Sequence, residues 1–458
     1  MQKQLLKKLP TTLSLSALAG AVLFASQGAV AAGLTLNEQS ASAMGTAYAG
    51  RSSSALDAST VFGNPAGMSR LDRMQVSGGL AFIDAHTKIK DGQAQNVDMG
   101  QGNPALDGAV QQTINAQGTN KGDMVPFSTI PFGYFVMPID DSWHFGMGIY
   151  APLGGKSKFE DSFVGRYQGV KTEVTMVTFQ PTISYKFNDM LSVGVGPTIS
   201  YLDGTLSSNS IVGVPGAGTG DFTPADALYT AKGNDTAVGA NVGVLFQPYE
   251  RTTFGLTYKS ETRFKLSGDA KLDIPGQPTL KGDAKLRFTA PESIDFSFTH
   301  KFDDQWTLYA GAVWTRWSRL DTIQIDDNLA IHPDGVDPRE DVNFKDTWAY
   351  SIGGSYQVNP EWVLRAGFAL DTSAASDNTR SVRTPIAERK AITIGAGWNV
   401  TQDLTIDAAY GYLWESDARV NQPEKPADAS NTGSPRPGFT GTFKNKIHGL
   451  SGQVTYRF

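Results

Sequence analysis

The chain has 458 residues, of which 39 are basic and 45 acidic, giving a formal net charge of −6 that argues against nucleic acid as a partner. It contains no cysteine, which excludes disulfides and thiol chemistry. Its 49 glycines and 10 % aromatic residues suit strands and turns better than helices.

The first 31 residues have the pattern of a secretory signal peptide. Lys3, Lys7 and Lys8 form a basic start, residues 13–24 are mostly apolar, and residues 29–31 fit a small-x-small cleavage site. The apolar run is too short for a membrane-anchoring helix, the alternative reading. We therefore predict residues 1–31 as a signal peptide of an exported protein.

Residues 32–73 differ in character from the rest of the chain. The stretch 40–50 is small and lightly polar, which favours short helical turns, and Asn64-Pro65-Ala66-Gly67 indicates a turn. This segment is too uncharged for a solvated tail and too small for a core of its own. We predict that residues 32–73 fold back as a plug, or hatch, inside the structure formed by residues 74–458.

The remaining chain shows the period-two alternation of strands with two unlike faces. In residues 192–201, Val193, Val195, Ile199 and Tyr201 share one face, and residues 307–314 and 391–398 repeat the pattern. No stretch after the signal peptide offers the roughly 18 consecutive apolar residues of a membrane helix. A closed barrel is the other structure that pairs every backbone group in lipid.

The connections between these strands alternate between two lengths. Six are short turns at residues 140–141, 188–189, 248–250, 303–304, 359–360 and 401–402. Seven are long and polar, at residues 88–126, 153–168, 207–235, 266–284, 320–344, 373–387 and 416–442. Short periplasmic turns with long external loops are typical of outer-membrane barrels. The pattern predicts an all-β fold, a 14-stranded antiparallel transmembrane β-barrel running from near Met74 to Phe458.

The last strand supports closure of the barrel. Leu450, Gly452, Val454, Tyr456 and Phe458 share one face, and pairing with the first strand would remove an exposed edge. This terminal pattern resembles the signal read by the bacterial barrel-assembly machinery. The expected surroundings are therefore the outer-membrane lipid and lipopolysaccharide of a bacterium.

The segment before the first strand also resembles a known family. Residues 33–40, 45–50 and 64–68 are similar to the start of the FadL family of long-chain fatty acid transporters, with TodX-like relatives that admit toluene and xylene. The likeness returns at 257–261, 314–318, 344–346 and 380–389, and fades in the outer loops. The family fold is a 14-stranded barrel with an N-terminal hatch.

The resemblance implies passive uptake of a hydrophobic molecule. The ligand is caught between outer loops, where Phe222, Leu228 and Tyr229 are candidate groove residues, although they could equally pack within the loop. It then passes to a pocket in the barrel and leaves sideways through an opening in the wall. Such a route avoids exposing each CH₂ to water, which costs about 0.8 kcal/mol. No cofactor or metal is expected.

Two places are candidates for the gate. Pro152, followed by Leu153, lies where we expect the third strand to end and where relatives have a kink; proline lacks the N–H that a neighbouring strand would use. Asn64, Pro65 and Ala66 match the hatch motif of the family. The simpler interpretations are a strand that merely ends at a loop and a plain Asn-Pro turn.

Two positions are candidates for the group that would bind a carboxylate. By the resemblance, an arginine position falls near Ser208, and a lysine position at residues 339–340, where Arg339 could substitute. A carboxylate in a dry pocket needs a charged partner or several donors. Long-chain fatty acids are thus the first expectation, and uncharged aromatic or aliphatic hydrocarbons the alternative.

Other charged residues have a structural interpretation. Arg365, Arg380, Arg389 and Asp371 lie on or near strands, where pairs of opposite charge in a lumen stabilise a barrel.

A general porin and a barrel lipase remain as other function classes. The hatch-like segment argues against an open porin, and the sequence contains no Gly-x-Ser-x-Gly elbow. The five histidines, His86, His144, His300, His332 and His448, have no metal-ligand spacing. We therefore expect a channel and no enzyme.

Overall fold

The computed structural model describes residues 34–95, 97–98, 113–114, 117–121, 124–215, 222–329, 339–424 and 436–458. The predicted signal peptide lies outside these residues. Within them, no helix is long and apolar enough to cross a membrane.

The described chain forms a closed barrel of 14 antiparallel strands, which confirms the predicted fold. Strands β7, β8, β9, β10 and β13 are each interrupted once. The strands are β1 (Gln75–Ala94), β2 (Ser128–Pro138), β3 (Trp143–Lys158), β4 (Lys171–Lys186), β5 (Leu191–Pro215), β6 (Phe222–Tyr249), β7 (Thr252–Lys259 and Thr262–Asp273), β8 (Leu280–Ala290 and Ser293–Lys301), β9 (Trp306–Thr315 and Thr322–Asp327), β10 (Arg339–Asp341 and Thr347–Gln357), β11 (Trp362–Asp371), β12 (Arg389–Asn399), β13 (Leu404–Glu415 and Ala418–Gln422) and β14 (Phe439–Arg457).

The first and last strands close the cylinder. β14 pairs with β1 in continuous antiparallel register from Gln75–Arg457 to Lys90–Thr442. Beyond it, the N–H of Phe458 donates to the carbonyl of Met74 at 2.8 Å. The predicted closure of the terminal strand is confirmed.

The six short turns occur where the sequence predicts them, and local side chains stabilise most of them. Asp140 accepts hydrogen bonds from the N–H groups of Ser142 and Trp143 at 2.8 and 2.7 Å. Asn188, Asp303, Asn359 and Thr401 make the same kind of turn in the following connections. These bonds explain why short polar residues mark each turn.

The long connections are more regular than predicted. β5 and β6 continue to Pro215 and from Phe222, so most of the expected loop 207–235 is a strand pair. β7 and β8 likewise reduce the expected loop 266–284 to residues 274–279. The inner faces of these extensions share an apolar cluster of Val212, Ala227, Tyr229, Ala231, Ala270, Leu272, Ala284, Ile325 and Leu329.

The two faces of the barrel wall have different chemistry. The outer face exposes apolar side chains, among them Val76, Leu80, Val195, Ile199, Val238, Leu256, Ile352, Leu364, Ile392, Ile394, Leu450 and Val454. Next to the short turns, Trp143 pairs with Tyr185, Trp306 with Tyr356 and Trp362 with Trp398, as in an aromatic girdle. The inner face buries polar residues such as Ser77, Thr178, Gln180, Thr182, Ser200, Asn241, Thr257, Ser297, Asp407 and Gln453.

The N-terminal segment (residues 34–73) makes contacts around this inner face. It contains α1 (Ala41–Met44), α2 (Thr60–Gly63) and a 3₁₀ helix (Pro65–Arg70), close to the predicted helical turns. Hydrogen bonds join it to β3 (Gln39 to Ala151), β6 (Asn64 to Val244), β8 (Arg51 to Asp295), β12 (Gly45 to Thr393) and β14 (Ser40 to Gln453).

Glycines on the inner face let this segment approach the wall closely. A Cβ at Gly243 would clash with Asn64, one at Gly255 with Ser52, and one at Gly367 with Thr46. The segment is therefore held by shape complementarity as well as by polar contacts.

Candidate functional site

The hydrogen-bonded pairing between β2 and β3 ends halfway along the wall. It runs from Pro138–His144 to Gly133–Ile149. Beyond this point, residues 128–132 of β2 remain paired with β1, and β3 remains paired with β4 as far as Lys158. In the described part of the chain, residues 128–132 of β2 therefore have no partner on β3, and the wall has a gap there.

A β-bulge marks the start of the gap on β3. The register with β4 shifts between Tyr150 and Leu153, so that Ala151 and Pro152 lie opposite Val177 alone. Pro152 thus lies inside β3 and not at its end. The expectation of a strand end at Pro152 was wrong because the ladder with β4 resumes at Leu153 and continues to Lys158.

The N-terminal segment takes the place of β2 beside this part of β3. The N–H of Leu36 donates to the carbonyl of Pro152 at 2.9 Å, and the N–H of Gly154 donates to the carbonyl of Leu34 at 2.8 Å. Thr35 and Leu153 form an antiparallel bridge between them. Two of the β3 backbone groups that the missing β2 pairing would leave open, the carbonyl of Pro152 and the N–H of Gly154, are thereby satisfied.

Gln39 completes this replacement with its side chain. Its amide nitrogen donates to the carbonyl of Ala151 at 2.5 Å, and its amide oxygen accepts from the N–H of the same residue at 3.3 Å. The hydroxyl of Tyr134 on β2 donates to the backbone carbonyl of Gln39 at 3.0 Å. Gln39 is fully buried and links the two edges of the gap.

An apolar cavity, the outer cavity, lies on the side of the long loops. Its volume is about 890 Å³, which includes space that is open to solvent. Lys232, Lys285 and Arg287 are exposed and line it together with one buried ion pair. Its apolar lining consists of Leu34, Val174, Leu202, Leu206, Ala231, Leu266, Ala284, Leu286, Phe288, Leu320, Ile323, Ile325, Val342 and Phe344.

The buried ion pair of the outer cavity joins Arg383 and Glu340. The Arg383 Nε lies 3.1 Å from the Glu340 Oε2, and the guanidinium also donates to the carbonyls of Lys171 and Ser207, each at 3.1 Å. Burial lowers the pKa of Arg383 from its ordinary value, and Glu340 opposes that shift. An arginine remains charged in such a site.

Arg339 does not face the outer cavity. It is exposed and pairs with Asp341 at 2.9 Å, whereas Glu340 between them lines the cavity. Because side chains alternate along a strand, one residue decides which face a charge occupies. The proposed role of Arg339 as carboxylate partner does not fit this position; Arg383 is the cation that the fold brings there.

Two of the three candidate groove residues do not line the outer cavity. Tyr229 is buried in the apolar cluster of the strand extensions and donates to Asp327 at 2.7 Å, which fits the alternative of packing within the loop. Leu228 lies opposite Asn209 in the β5–β6 pair, and neither residue lines the outer cavity. The side chain of Phe222 lies outside the described residues. Further along β6, Ala231 and Lys232 line the outer cavity.

A second cavity, the inner cavity, lies between the wall and the N-terminal segment. It encloses about 1080 Å³, part of it open to solvent. Its lining includes Thr35, Asn37, Arg51 and Phe62 from the N-terminal segment, and Tyr150, Pro152, Leu153, Met176, Thr178, Thr198, Ser200, Ala240, Lys259, Ser260, Thr262, Ala290, Pro291, Ser293, Val313, Thr315, Thr347, Trp348, Ala349 and Asp371 from the wall. Pro152 and Leu153, the two gate candidates on β3, are thus part of this cavity.

Residues 34–37 contribute to both cavities. Leu34 lines the outer cavity, whereas Thr35 and Asn37 line the inner cavity. The same short stretch bonds to β3 at the gap.

Asn64 anchors the N-terminal segment to the wall. Its side-chain amide donates to the carbonyls of Ser52 at 2.6 Å and Val244 at 2.9 Å, and its oxygen accepts from the N–H of Ala66 at 3.0 Å. Asn64 caps the 3₁₀ helix that begins at Pro65, and both Asn64 and Ala66 are fully buried. The three motif residues therefore serve as a docking point for the segment.

Two of the other charged residues named from the sequence, Arg365 and Arg389, pair between strands of the wall, whereas Arg380 pairs within the connection between β11 and β12. Arg365 pairs with Asp407 at 2.6 Å, Arg389 with Glu415 at 2.7 Å and Arg380 with Asp377 at 2.6 Å. These contacts fit the structural interpretation. Asp371 differs because it lines the inner cavity.

Three residues at the gap and the two cavities were not singled out from the sequence: Gln39, Lys259 and Arg383. Lys259 and Arg383 fall within segments that carry the family resemblance, 257–261 and 380–389, so a signal existed without a role attached to it. Nothing local distinguishes Gln39, because its partner is remote in the sequence.

Comparison with known proteins agrees with this architecture. The family described as outer membrane protein transport protein (OMPP1/FadL/TodX) matches residues 22–458. A long-chain fatty acid transport protein of Escherichia coli O6:H1 is 27 % identical over 88 % of this chain and 91 % of its own. Outer membrane protein P1 of Haemophilus influenzae is 29 % identical over 87 % of this chain and 89 % of its own.

Solved structures show the same fold. The crystal structure of a Pseudomonas aeruginosa FadL homologue has a TM-score of 0.79 and 25 % identity, covering 93 % of this chain and all of that one. The toluene transporter TbuX of Ralstonia pickettii has a TM-score of 0.63 and 18 % identity, covering 92 % and 99 %. The chain belongs to the outer membrane protein transport family, OMPP1/FadL/TodX, and is an outer-membrane transporter of hydrophobic compounds.

Proposed function

We propose that the protein carries long-chain fatty acids passively through the outer membrane and releases them sideways through the gap between β2 and β3. The ligand enters the outer cavity, passes residues 34–37, occupies the inner cavity and leaves beside Pro152. The observation that carries this proposal is the end of β2–β3 pairing at Gly133–Ile149, with the N-terminal segment bonded to the open stretch of β3.

The outer cavity suits an acyl chain because fourteen of its 24 lining residues are aliphatic or aromatic. Each CH₂ that moves from water into it gains about 0.8 kcal/mol. The exposed cations Lys232, Lys285 and Arg287 would attract an anionic head group towards the cavity. The names of relatives as long-chain fatty acid transport proteins favour the same ligand class.

The N-terminal segment serves as a hatch in this proposal, with residues 34–37 as its movable part. Within the described chain, two backbone hydrogen bonds join that part to β3, and the side chain of the nearby Gln39 adds two more. Asn64, Pro65 and Ala66 keep the rest of the segment docked while the first residues shift. Displacement of residues 34–37 would join the two cavities.

Uncharged hydrocarbons are the second candidate ligands, and one contact favours them. Arg383 already has a carboxylate partner in Glu340, so the outer cavity has no need of an anionic ligand. A toluene transporter with the same fold supports this second candidate. Both ligands would use the same path.

Uptake of labelled oleate and of labelled toluene should be measured in cells that lack their own transporter, with and without this gene. We expect oleate uptake that is weakened by Pro152→Ala, since alanine restores a backbone N–H and favours a regular strand. Deletion of residues 33–70 should weaken it as well. Unchanged oleate uptake in both variants would contradict the assignment of the gate beside Pro152.

A further inference from the structure

We propose that Lys259 binds the carboxylate head group of the ligand in the inner cavity, and so makes that cavity selective for anionic amphiphiles over neutral hydrocarbons. This inference rests on the transport route proposed above and names the ligand class that its inner half accepts. It assigns the head group and the tail to opposite sides of the same cavity.

The backbone places Lys259 at a strand interruption. It is the last residue of the first half of β7, opposite Asn241 on β6 and Ser293 on β8. Ser260 follows, and β8 is interrupted at the same level by Pro291. Lys259, Ser260, Pro291 and Ser293 all line the inner cavity. Because these residues line one cavity, a ligand in it can approach the ammonium group and the neighbouring hydroxyls.

The ammonium group is stacked on an aromatic ring. The Nζ of Lys259 lies 3.3 Å from the centroid of the Phe62 ring, which belongs to α2 of the N-terminal segment. Phe62 in turn contacts Tyr150 edge to face, with ring centroids 4.9 Å apart. A ring face attracts a cation, but it leaves the donors of an ammonium group that point away from the ring available.

Lys259 makes no direct ion pair within the described part of the chain. The carboxylate of Asp295 attracts its ammonium group, but Asp295 is bound by Arg51, whose Nε and Nη2 donate to it at 3.0 and 2.7 Å. Asp371 also lines the inner cavity and makes no ion pair with Lys259 in the described chain. A carboxylate brought into the cavity would therefore meet an ammonium group that no anion contacts directly.

A carboxylate that leaves water needs such a partner, whereas toluene or an alkane does not. Ser260 and Thr262 next to Lys259 could add hydroxyl donors to the second carboxylate oxygen. On the side of the gap, the cavity is lined by the apolar residues Pro152, Leu153 and Met176 of β3 and β4. With its head group at β7, the ligand would direct its tail across the cavity towards the opening.

The test compares Lys259→Met, which keeps the length of the side chain and removes its charge, with Lys259→Arg, which keeps the charge. Lys301→Met is the matched control, since Lys301 is exposed at the end of β8 next to a short turn. Each variant is expressed in transporter-deficient cells, and uptake of oleate and of toluene is measured side by side. Heat-modifiable mobility on gels checks that each barrel is folded.

We expect Lys259→Met to lower oleate uptake roughly tenfold to a hundredfold, the range for loss of a hydrogen bond to a charged group, and to leave toluene uptake unchanged. Oleate uptake by Lys259→Arg and by Lys301→Met should stay within about threefold of uptake by the native protein. Equal losses for both solutes, or no loss of oleate uptake, would refute the role of Lys259. If the native protein moves neither solute, the transport route itself fails, which is a different result.

A second measurement needs no variant. The native protein in detergent is mixed with oleate and a water-soluble carbodiimide, which activates the carboxyl group. Attack by a neighbouring amine forms an amide, and the carbodiimide leaves as its urea. Peptide mass spectrometry should find the oleoyl amide on Lys259 in preference to Lys301. An unmodified Lys259 beside labelled surface lysines would overturn the proposal.

Discussion

The backbone N–H of Leu36 donates a 2.9 Å hydrogen bond to the carbonyl of Pro152, although the two residues lie in separate parts of the chain. A residue near the start of the N-terminal segment thereby occupies the edge of a wall strand at its bulge. The contact links the candidate gate on β3 directly to the proposed hatch.

A disulfide between positions 35 and 153 should lock this contact. Thr35 and Leu153 form an antiparallel bridge, in which opposite Cα atoms are roughly 4.5–5.5 Å apart, within the range of a disulfide. The chain has no native cysteine, so Thr35→Cys with Leu153→Cys gives a single defined bond. We expect the oxidised variant to lose fatty acid uptake and the reductant to restore it. Full uptake by the oxidised form, with each single variant as control, would show that residues 34–36 need not move.

Replacement of Asn64 should loosen the N-terminal segment. Asn64→Ala leaves the carbonyls of Ser52 and Val244 without this donor inside the protein, at a cost of roughly 1–3 kcal/mol for each buried group left unpaired. Hydrogen exchange over residues 59–70 should speed up, and single-channel conductance in planar bilayers should rise.

Gly243→Ala should act in the same direction, because its Cβ would clash with the Asn64 side chain. Gly452→Ala is the matched control, since a Cβ there meets no atom within 4 Å. Unchanged exchange and conductance in both Asn64→Ala and Gly243→Ala would show that the segment is held elsewhere.

Removal of the Glu340 charge should release Arg383 for an anionic ligand. In Glu340→Gln the guanidinium keeps its carbonyl partners but loses its carboxylate. We expect laurate to bind the purified protein roughly tenfold more tightly, which corresponds to about one charge-assisted hydrogen bond. Displacement of a fluorescent fatty acid measures this affinity. Asp341→Asn, at the exposed neighbouring position, should have no effect; an equal gain in both variants would point to general electrostatics.

Glu38 should make the stability of the N-terminal segment depend on pH. Burial raises the pKa of this carboxyl group above its ordinary value, opposed by backbone hydrogen bonds and by Arg389, and its Oε2 has no hydrogen-bond partner within the described chain. A raised pKa means that the stabilising contribution is present below the unfolded pKa and is lost as pH rises through the folded value. Glu38→Gln should therefore protect residues 34–45 from hydrogen exchange relative to the native protein at pH 7. The difference should vanish near pH 4. Faster exchange in the variant at pH 7 would mean that the attraction of Arg389 outweighs burial.

The barrel itself could be predicted because its signals are local. Alternation has a period of two residues, and turns such as the one at Asp140 are made by a side chain that bonds to the backbone two and three residues later. Pro152 could be recognised as a candidate kink for the same reason, since proline lacks an N–H wherever it occurs.

The interior of the site depends on contacts that sequence spacing does not show. Arg339 and Glu340 differ by one position, and the register of a short strand pair decided which of them faces the outer cavity. Arg383 lies in an irregular connection, and Gln39 finds its partner on β3 only after the segment has folded back. Such positions follow from tertiary packing, which neither periodicity nor turn residues encode.

The β14–β1 seam sets an order on biogenesis. Those two strands are the first and the last of the barrel, so their ladder is the pairing with the highest loop-closure cost. The N-terminal segment lies against β3, β6, β8, β12 and β14. Once the β14–β1 ladder has formed, this segment is enclosed and cannot enter the barrel between those two strands. We therefore expect the leading residues to settle among the nascent strands before the final hairpin joins the first, so that a late-arriving segment would leave a permanently leaky cylinder.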